Sequence, residues 1–291
     1  MKDVDSQLVL LGEKYQSLAK SKKSLLKLLD ESEVPESIYN SNAIENSTLT
    51  LEQTEQILLE LELSKKFILR EVYEAKNLSR VVNYIRSKTG DRQALTQELI
   101  LLLHQMLLGA INDEIAGRYR KKGEYVRVGL HVAPSPEKIT GQIQKALSDY
   151  YKHFKNLSLE KIARFHLEFE TIHPFCDGNG RIGRVLINYQ LQELNYPPII
   201  IRNREKQNYY KALREFNIDR NNSTRMTSIC RLALLESLHK RISYLRGLEI
   251  VELTKYAKRR SDSIRTLLNA AKRQTIPAFR ERGRWKIAKR F

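Results

Sequence analysis

Cysteine is scarce in this chain of 291 residues, which contains only Cys176 and Cys230. Two cysteines build neither a disulfide framework nor a zinc site with the usual ligand spacing. No run of about 18 apolar residues occurs, so we expect no membrane span and no membrane partner. The start, Met1-Lys-Asp-Val-Asp, lacks the basic and then apolar layout of a secretion signal. Together these features predict a cytoplasmic protein.

Helical periodicity dominates what is present. Hydrophobic residues make up 41% of the chain, which is enough for a core and allows one large or two modest domains. Thr50 with Gln53 has the pattern of a capping box. The periodicity predicts helices over residues 4–30, 49–63, 67–88, 95–110, 136–154, 159–172, 180–194, 207–217 and 223–246.

The segment His173-Pro-Phe-Cys-Asp-Gly-Asn-Gly-Arg-Ile-Gly-Arg184 carries the chemistry. An imidazole can accept a proton near neutral pH, and a carboxylate such as Asp177 suits Mg²⁺. The glycines let backbone N–H groups turn inward, and Arg181 and Arg184 can clamp phosphate oxygens. Because a helix is predicted to start near Asn179 or Gly180, the turn lies at a positive helix end that favours anions.

This segment matches the Fic family signature, His-x-Phe-x-Asp/Glu-Gly-Asn-Gly-Arg-x-x-Arg, at every specified position, and the chain therefore resembles that family. The resemblance implies a mostly α fold: a helical core with a short β-hairpin flap. It also implies transfer of AMP from ATP to the hydroxyl group of a protein Ser, Thr or Tyr. A homodimer is allowed, because family members often pair through the core.

The resemblance assigns a role to each matching residue. His173 would deprotonate the target hydroxyl, and Phe175 would anchor the loop in the core. Asp177 would hold Mg²⁺ between the α- and β-phosphates. The phosphates would be bound by the backbone of Gly178, Asn179 and Gly180 and by the side chains of Arg181 and, at the γ-phosphate, Arg184.

Ser41-Asn-Ala-Ile-Glu45-Asn46 resembles the inhibitory motif of the family, Ser/Thr-x-x-x-Glu-Gly/Asn. Ser41 and Glu45 are four residues apart and share one helical face. The resemblance implies that Glu45 pairs with Arg184, occupies the γ-phosphate space and makes ATP bind with its α-phosphate off the line of attack. The alternative is an ordinary surface carboxylate.

Two further segments resemble substrate-binding parts of the family. The glycine-flanked alternation at Tyr125, Val126 and Val128 predicts a hairpin that resembles the flap, which aligns a target segment by strand addition. His131 lies at the usual flap position and is expected to be structural. Tyr210 would pack on the purine and Asn217 would bind the nucleoside, although tyrosines at helical spacing are more often core residues.

The end of the chain is strongly basic. Residues 255–291 hold 13 Lys and Arg against 2 Asp and Glu, a net charge of +11 out of +17 for the whole chain. Their pattern resembles the winged helix-turn-helix of excisionase-like regulators, with a second helix over about 262–272. We expect residues 251–291 to bind DNA, although such modules also bind proteins and charge runs are usually solvated. The predicted domains are residues 1–90, 91–220, 221–250 as a connecting helix, and 251–291.

Two functional hypotheses remain open from the sequence. The first is an autoinhibited protein adenylyltransferase that uses ATP and Mg²⁺. The second is a DNA-binding regulator whose Fic core senses a nucleotide. Transfer of UMP, phosphocholine or phosphate, and removal of AMP by water, are alternatives to AMP transfer.

Overall fold

The computed structural model describes residues 2–61, 68–88, 93–129, 131–152, 157–260 and 262–289. Helices dominate these residues, which confirms the expected mostly α fold. The α-helices are α1 Lys2–Ser21, α2 Lys23–Ile44, α3 Leu51–Leu58, α4 Leu69–Ser87, α5 Gln97–Leu108, α6 Ile139–Tyr151, α7 Leu159–Ile172, α8 Asn179–Glu193, α9 Lys206–Ile218, α10 Thr224–Leu245, α11 Leu253–Arg260 and α12 Ile264–Lys272. The strands are β1 Arg127–Val128, β2 His131–Val132, β3 Ile250–Glu252, β4 Ala278–Glu281 and β5 Arg284–Ala288.

The predicted helix over residues 4–30 is wrong, because α1 and α2 replace it with a break at Lys22. The N–H of Lys22 donates to Ala19 O at 3.4 Å, a tighter turn than that of an α-helix. Helix α2 then continues through Pro35 to the predicted inhibitory segment. Proline lacks the N–H that an interior helical position donates, which is why the sequence pattern stops short of this helix.

Other helix boundaries follow their capping residues. The Thr50 side chain accepts from Gln53 N and the Gln53 side chain accepts from Thr50 N, so the capping box at the start of α3 is confirmed. Ser158 caps α7 through Lys161 N. A short 3₁₀ turn, Pro136–Lys138, precedes α6. The predicted helical residues 62–63, 67 and 153–154 lie outside the described residues.

The predicted flap is a small hairpin. Strands β1 and β2 pair antiparallel with Arg127 opposite Val132 and Val128 opposite His131. Tyr125 and Val126 therefore precede the paired strand rather than lie in it, although Val126 O still accepts from Ala133 N at 3.0 Å. Gly129 follows β1 with a positive φ of 60°, a conformation that glycine adopts without steric cost.

The chain divides into two compact units. One consists of Met1–Glu33, Asn195–Ile199 and Cys230–Phe291, and the other of Val34–Leu194 and Ile200–Ile229. The predicted signature loop and inhibitory segment both lie in the second unit. The predicted domain boundaries at residues 90, 220 and 250 stay a prediction, since the units are assembled from segments that are distant in sequence.

At the end of the chain, α11 and α12 are followed by the hairpin of β4 and β5, and α12 matches the second helix predicted over about 262–272. A strand that was not predicted, β3, pairs with β5 and gives a three-stranded sheet in the order β3-β5-β4. A core of buried residues joins helices and sheet: Leu253, Ala271, Ala278 and Ile287. None of the described helices combines the length and apolar character needed to cross a membrane.

Candidate active site

Two left-handed residues shape the loop between α7 and α8. His173 ends α7 with φ 48° and ψ 61°, and Gly178 precedes α8 with φ 80°. Inside the loop, the Asn179 side chain accepts from Phe175 N at 2.9 Å and donates to Phe175 O at 2.8 Å. Phe175 itself is fully buried, as expected. Asn179 therefore contributes its side chain to the fold of the loop.

The start of α8 leaves N–H groups for an anion. The first bond within the helix runs from Ile182 N to Gly178 O at 3.0 Å, and Gly178 N donates to Asp177 Oδ1 at 2.5 Å. The N–H groups between these two have no acceptor inside the helix, as at any helix start. Together with the positive end of the helix dipole they suit a phosphate group.

The geometry fixes the tautomer of His173. Its Nδ1 lies 3.3 Å from the carbonyl oxygen of Glu170, which can only accept, so Nδ1 carries the proton and Nε2 is left bare. Burial lowers the pKa of His173 from 6.5 to about 4, and the imidazole is neutral at neutral pH. His173 therefore has the protonation state of a general base.

Arg120, which the sequence analysis did not select, fixes the backbone at His173. Its guanidinium donates to His173 O at 2.9 Å, Ile172 O at 3.3 Å and Pro134 O at 2.9 Å. Its backbone N–H donates to Pro174 O at 2.9 Å. A guanidinium presents five N–H donors in a rigid plane, which suits the binding of several carbonyl oxygens. Burial lowers the pKa of Arg120 without removing its charge. Arg120 thus connects the flap segment to the loop.

His104 supports the other side of the loop. Its ring stacks on Phe175 at 3.7 Å between centroids, and its Nδ1 accepts from Gly117 N at 3.0 Å. The proton is therefore on Nε2, which donates to Asp177 O at 3.0 Å. Burial lowers the pKa of His104 to about 4, which keeps the ring neutral. One histidine on α5 thus orients the backbone of the predicted metal ligand.

The predicted metal ligand and the first arginine form a charge network with α4. Asp177 Oδ1 accepts from Arg181 Nη2 at 3.0 Å, and Asp177 Oδ2 from Arg70 Nη2 at 2.6 Å. Glu74 Oε1 lies 3.1 Å from Arg181 Nη1 and 3.1 Å from Arg70 Nε. Arg70 and Glu74 have no motif of their own, so sequence reasoning missed them. Arg181 Nε is buried without a partner among the described residues and remains a donor for an anion.

The side chains around Asp177 suit Mg²⁺ only if the ion is shared with the phosphates of a bound substrate. Among the described residues, no three His, Cys, Asp or Glu side chains come together as a metal site. Asp177 is a single carboxylate, one-third exposed, beside guanidinium groups that suit phosphate. Mg²⁺ usually takes one or two carboxylates and completes its shell with water and substrate phosphates. Asp177 is therefore a suitable ligand when a polyphosphate is bound.

The second arginine is held by α2. Arg184 Nε donates to Ser41 Oγ at 3.0 Å, and Nη2 donates to Ser41 O and Glu45 Oε1, both at 2.8 Å. Burial is the largest single influence and lowers the pKa of Arg184, but Glu45, Tyr209 and Glu170 together outweigh burial and raise it. The pairing of Glu45 with Arg184 is thus present in the structure, while its inhibitory role remains a prediction.

Backbone constraints accompany this contact. A Cβ atom on Gly180 would collide with Glu45 Oε1, so glycine lets the carboxylate approach α8. Asn46 adopts φ 68°, a left-handed conformation that asparagine tolerates better than most residues, just after α2. Its N–H donates to Ala43 O at 3.1 Å. The last position of the motif therefore ends the helix and directs Glu45 inward.

The two residues predicted for the nucleoside both lie on α9. The Tyr210 hydroxyl donates to Ile44 O at 3.0 Å, and Asn217 Oδ1 accepts from the Thr171 hydroxyl at 3.0 Å. His131 in the flap donates through Nε2 to Thr171 O at 2.9 Å, which agrees with a structural role.

Tyr125 and Val128 are exposed on the flap. Cys176 is partly exposed, and burial raises its pKa, which disfavours a thiolate nucleophile.

The fold and this loop define a helical protein with a candidate polyphosphate site at the start of a helix. Residues 94–191 match the model of the Fic/DOC family, and they include the loop, Arg120 and His104. The match covers α5 to most of α8 and leaves Ser41 and Glu45 outside it.

Similar proteins carry the same family name. The protein adenylyltransferase Fic of Nematostella vectensis is 36% identical over 185 residues, which are 62% of this chain and 42% of that protein. That of Drosophila willistoni is 34% identical over 184 residues, 62% of this chain and 36% of that protein. The chain therefore spans less than half the length of either relative.

A solved structure is similar over most of the chain. The Fic domain containing signaling protein from Bacteroides thetaiotaomicron has a TM-score of 0.74 and is 27% identical, covering 82% of this chain and 97% of that one. The chain thus has a Fic-like fold and has relatives that are named as adenylyltransferases.

Proposed function

We propose that the chain is a protein adenylyltransferase, which moves AMP from ATP to the hydroxyl group of a protein Ser, Thr or Tyr, and that Glu45 inhibits it. One observation carries the proposal: His173, Asp177, Arg181 and Arg184 belong to a single loop and the first turns of α8, and Glu45 binds the last of them. The adenylyltransferase relatives support the same reaction.

In the proposed reaction, the bare Nε2 of His173 takes the proton of the target hydroxyl. The hydroxyl oxygen then forms a bond to the α-phosphorus of ATP. The bond from that phosphorus to the bridging oxygen breaks, and pyrophosphate leaves with the electron pair. Arg181, Arg184 and the N–H groups at the start of α8 stabilise the negative charge. Magnesium held by Asp177 would add positive charge at the phosphate oxygens.

Inhibition follows from competition for Arg184. A carboxylate at 2.8 Å occupies the guanidinium that would bind the terminal phosphate. ATP that cannot use this arginine binds with its α-phosphate out of line, and a misplacement of about an ångström can cost ~100-fold in rate. Pairing with Glu45 also neutralises the buried Arg184, whose Nε and Nη2 both have acceptors, so the inhibited state is stable without nucleotide.

The test is incubation of Glu45→Gly protein with ATP and Mg²⁺, followed by mass spectrometry of the chain and of added protein extract. We expect AMP on protein hydroxyl groups, more than with wild type, and none with Glu45→Gly/His173→Ala. A folded Glu45→Gly protein that binds ATP but adds no group overturns the proposal. An added group of another mass supports a different donor, and loss of AMP from a pre-modified protein supports removal.

Exposed basic residues support a second function, the binding of DNA by residues 251–291. Arg265, Asn269 and Lys272 follow each other at helical spacing on the solvent face of α12, and Arg284 is exposed next to the turn between β4 and β5. A helix with base-reading and phosphate-binding side chains beside a basic hairpin suits a DNA groove. The apolar face of α12 packs Leu267 and Leu268 against the core, which leaves the basic face free.

Fluorescence anisotropy with duplex DNA tests this function. Arg265→Ala/Lys272→Ala should weaken binding and reduce the dependence of log K on log salt concentration by about one per lost phosphate contact. Lys145→Ala, an exposed lysine on α6, is the control and should bind as wild type. Equal binding by all three proteins, or none by wild type at low salt, rejects DNA binding by this surface.

A further inference from the structure

A buried carboxyl group lies beside His173 without a task in the proposed reaction. Glu170 stands three residues before His173, and only 8% of its side chain is exposed. Its Oε1 has no hydrogen-bond partner among the described residues. A buried polar atom without a partner is rare and costs stability, which points to a role that stability does not explain.

Glu170 faces the proton-bearing side of the imidazole. His173 Nδ1 lies 3.3 Å from the backbone oxygen of Glu170 and 4.0 Å from its Oε2. A small rotation of the carboxyl group would bring Oε2 within hydrogen-bond distance of Nδ1. The arrangement resembles that of other catalytic histidines, in which a third group orients the ring from the side opposite the reacting nitrogen.

The fold makes room for this carboxyl group. A Cβ atom on Gly183 would lie only 2.7 Å from Glu170 Oε1 and 2.8 Å from His166 Cε1. His166 Nδ1 is also buried without a partner among the described residues, and its Nε2 lies 2.7 Å from the Tyr209 hydroxyl. A glycine inside a helix lowers the stability of the helix by about 1 kcal/mol relative to alanine. We therefore expect the space that Gly183 leaves for the carboxyl group of Glu170 to serve a function.

The groups around Glu170 disfavour its negative charge. Burial is the largest cause and Glu45 the second, while Arg184 acts in the opposite direction, and together they raise the pKa of Glu170 from 4.5 to about 8. The histidines nearby carry no charge at neutral pH, since burial lowers the pKa of His166 to about 3 and that of His173 to about 4. The ionisable groups that face Glu170 and its imidazole partner are His166 and His173 on or just after α7, Glu45 after α2, Arg184 on α8, Tyr209 and Tyr210 on α9, and Arg120 and His131 near the flap.

We infer that Glu170 is a positioning residue that works as a neutral carboxylic acid, holding the Nδ1 side of His173 and keeping negative charge away from the anion site at Arg184. In its ionised form the same carboxyl group would compete with a phosphate for Arg184, as Glu45 does. Its kinetic consequences rest on the proposed transfer of AMP, but its protonation state does not.

The protonation state is measured without any activity. In protein labelled with ¹³C at the glutamate carboxyl groups, the resonance that disappears in Glu170→Gln should titrate near pH 8, against an ordinary value of 4.5. In Glu45→Gly the same resonance should titrate at lower pH, because one negative neighbour is gone. Titration in the ordinary carboxyl range, or no change in Glu45→Gly, overturns the inference.

The kinetic consequence is tested in the Glu45→Gly background. Glu170→Gln keeps a neutral side chain of the same shape and should hold kcat within about threefold, while Glu170→Ala should lower kcat by about tenfold, part of the ~100-fold or more that a base contributes. The KM for ATP of the Glu45→Gly parent should rise as the pH passes through the value at which its Glu170 resonance titrates, and that of the variant with Glu170→Gln should stay flat.

Two results overturn the positioning role. One is a Glu170→Gln variant as inactive as Glu170→Ala, which would mean that the ionised carboxylate is needed. The other is the same rise of KM for ATP with pH in the Gln variant as in its parent. If no variant transfers any group but the resonance titrates near pH 8, the proposed function fails and the neutral state of Glu170 stands.

Discussion

Replacing Glu45 by glutamine tests the competition for Arg184 by changing one charge and almost no volume. The Glu45 carboxylate accepts from Arg184 Nη2 at 2.8 Å, and its side chain is 36% exposed. Glutamine can still accept this hydrogen bond through its own Oε1, while the Ser41 contacts at 3.0 and 2.8 Å remain. The substitution therefore isolates the electrostatic part of the pair.

The size of the effect follows from the two kinds of hydrogen bond. A bond to a charged group contributes about 1.5–3 kcal/mol and a neutral one about 0.5–1.5 kcal/mol. Since Glu45 is partly exposed, water screens the pair, and we take the lower end of the difference, about 1 kcal/mol. The nucleotide-free protein should lose about that much unfolding free energy. ATP, no longer competing with a carboxylate, should bind about fivefold more tightly.

The assay is isothermal titration calorimetry with ATP and Mg²⁺, combined with chemical denaturation of the nucleotide-free protein. Glu31→Gln is the matched control, because Glu31 lies on the same helix α2, is exposed and pairs only loosely with Lys27 at 3.9 Å. It should change neither measurement. Both effects of Glu45→Gln stem from one interaction, so they should have similar magnitude and opposite consequences.

Competition between Glu45 and ATP for Arg184 is refuted if Glu45→Gln destabilises the protein and leaves the affinity for ATP unchanged. That result would mean that the pair is structural and that nucleotide binding does not displace Glu45. Tighter ATP binding without any loss of stability would instead mean that the pair contributes nothing in the free protein.

Three other substitutions test residues that surround the proposed catalytic groups. The unfolding free energy of Glu170→Gln relative to wild type should be higher at pH 8 than at pH 4.5, by a few kcal/mol. The reason is that the folded wild type keeps a proton on this carboxyl group, whose raised pKa is about 8, while the unfolded chain releases that proton above about 4.5. His104→Phe keeps the stacking on Phe175 but loses both ring hydrogen bonds, and should lose about 1–3 kcal/mol on denaturation. Arg70→Ala frees Oδ2 of Asp177 and should tighten Mn²⁺ binding with ATP, measured by electron paramagnetic resonance.

For each of these three predictions, one result would contradict it. A stability difference for Glu170→Gln that does not vary between pH 4.5 and 8 contradicts the raised pKa. If His104→Phe is as stable as wild type, His104 does not support the loop. Arg70→Ala with Mn²⁺ binding equal to that of Lys145→Ala, the surface control, contradicts competition at Asp177.

The sequence predicted the parts of the site that lie close together in the chain. The course of the chain from His173 to Arg184 needs only local backbone geometry: a helix end, a glycine turn and a helix start. The pairing of Glu45 with Arg184 spans 139 residues and was predicted only through resemblance to a family. No spacing rule relates residues so far apart.

The supporting residues were not predicted, because their contacts depend on the tertiary fold. Arg120 binds carbonyl groups that any residue could present, and His104 matches no motif. Arg70 and Glu74 stand four apart on α4, a spacing that also describes an ordinary surface ion pair. Strand β3 was missed for a similar reason, since three residues give too short a pattern to recognise.

Gly180 and Gly183 did carry a signal that the sequence analysis left unused. Two glycines three residues apart on one face of α8 each weaken the helix by about 1 kcal/mol relative to alanine. Each faces an acidic side chain: Glu45 at Gly180 and Glu170 at Gly183. Both carboxyl groups flank Arg184: Glu45 is paired with it, and Glu170 has a raised pKa. In the proposed inhibition Arg184 exchanges the Glu45 carboxylate for a phosphate, and a side chain at Gly180 would collide with Glu45 Oε1 and so prevent the pairing.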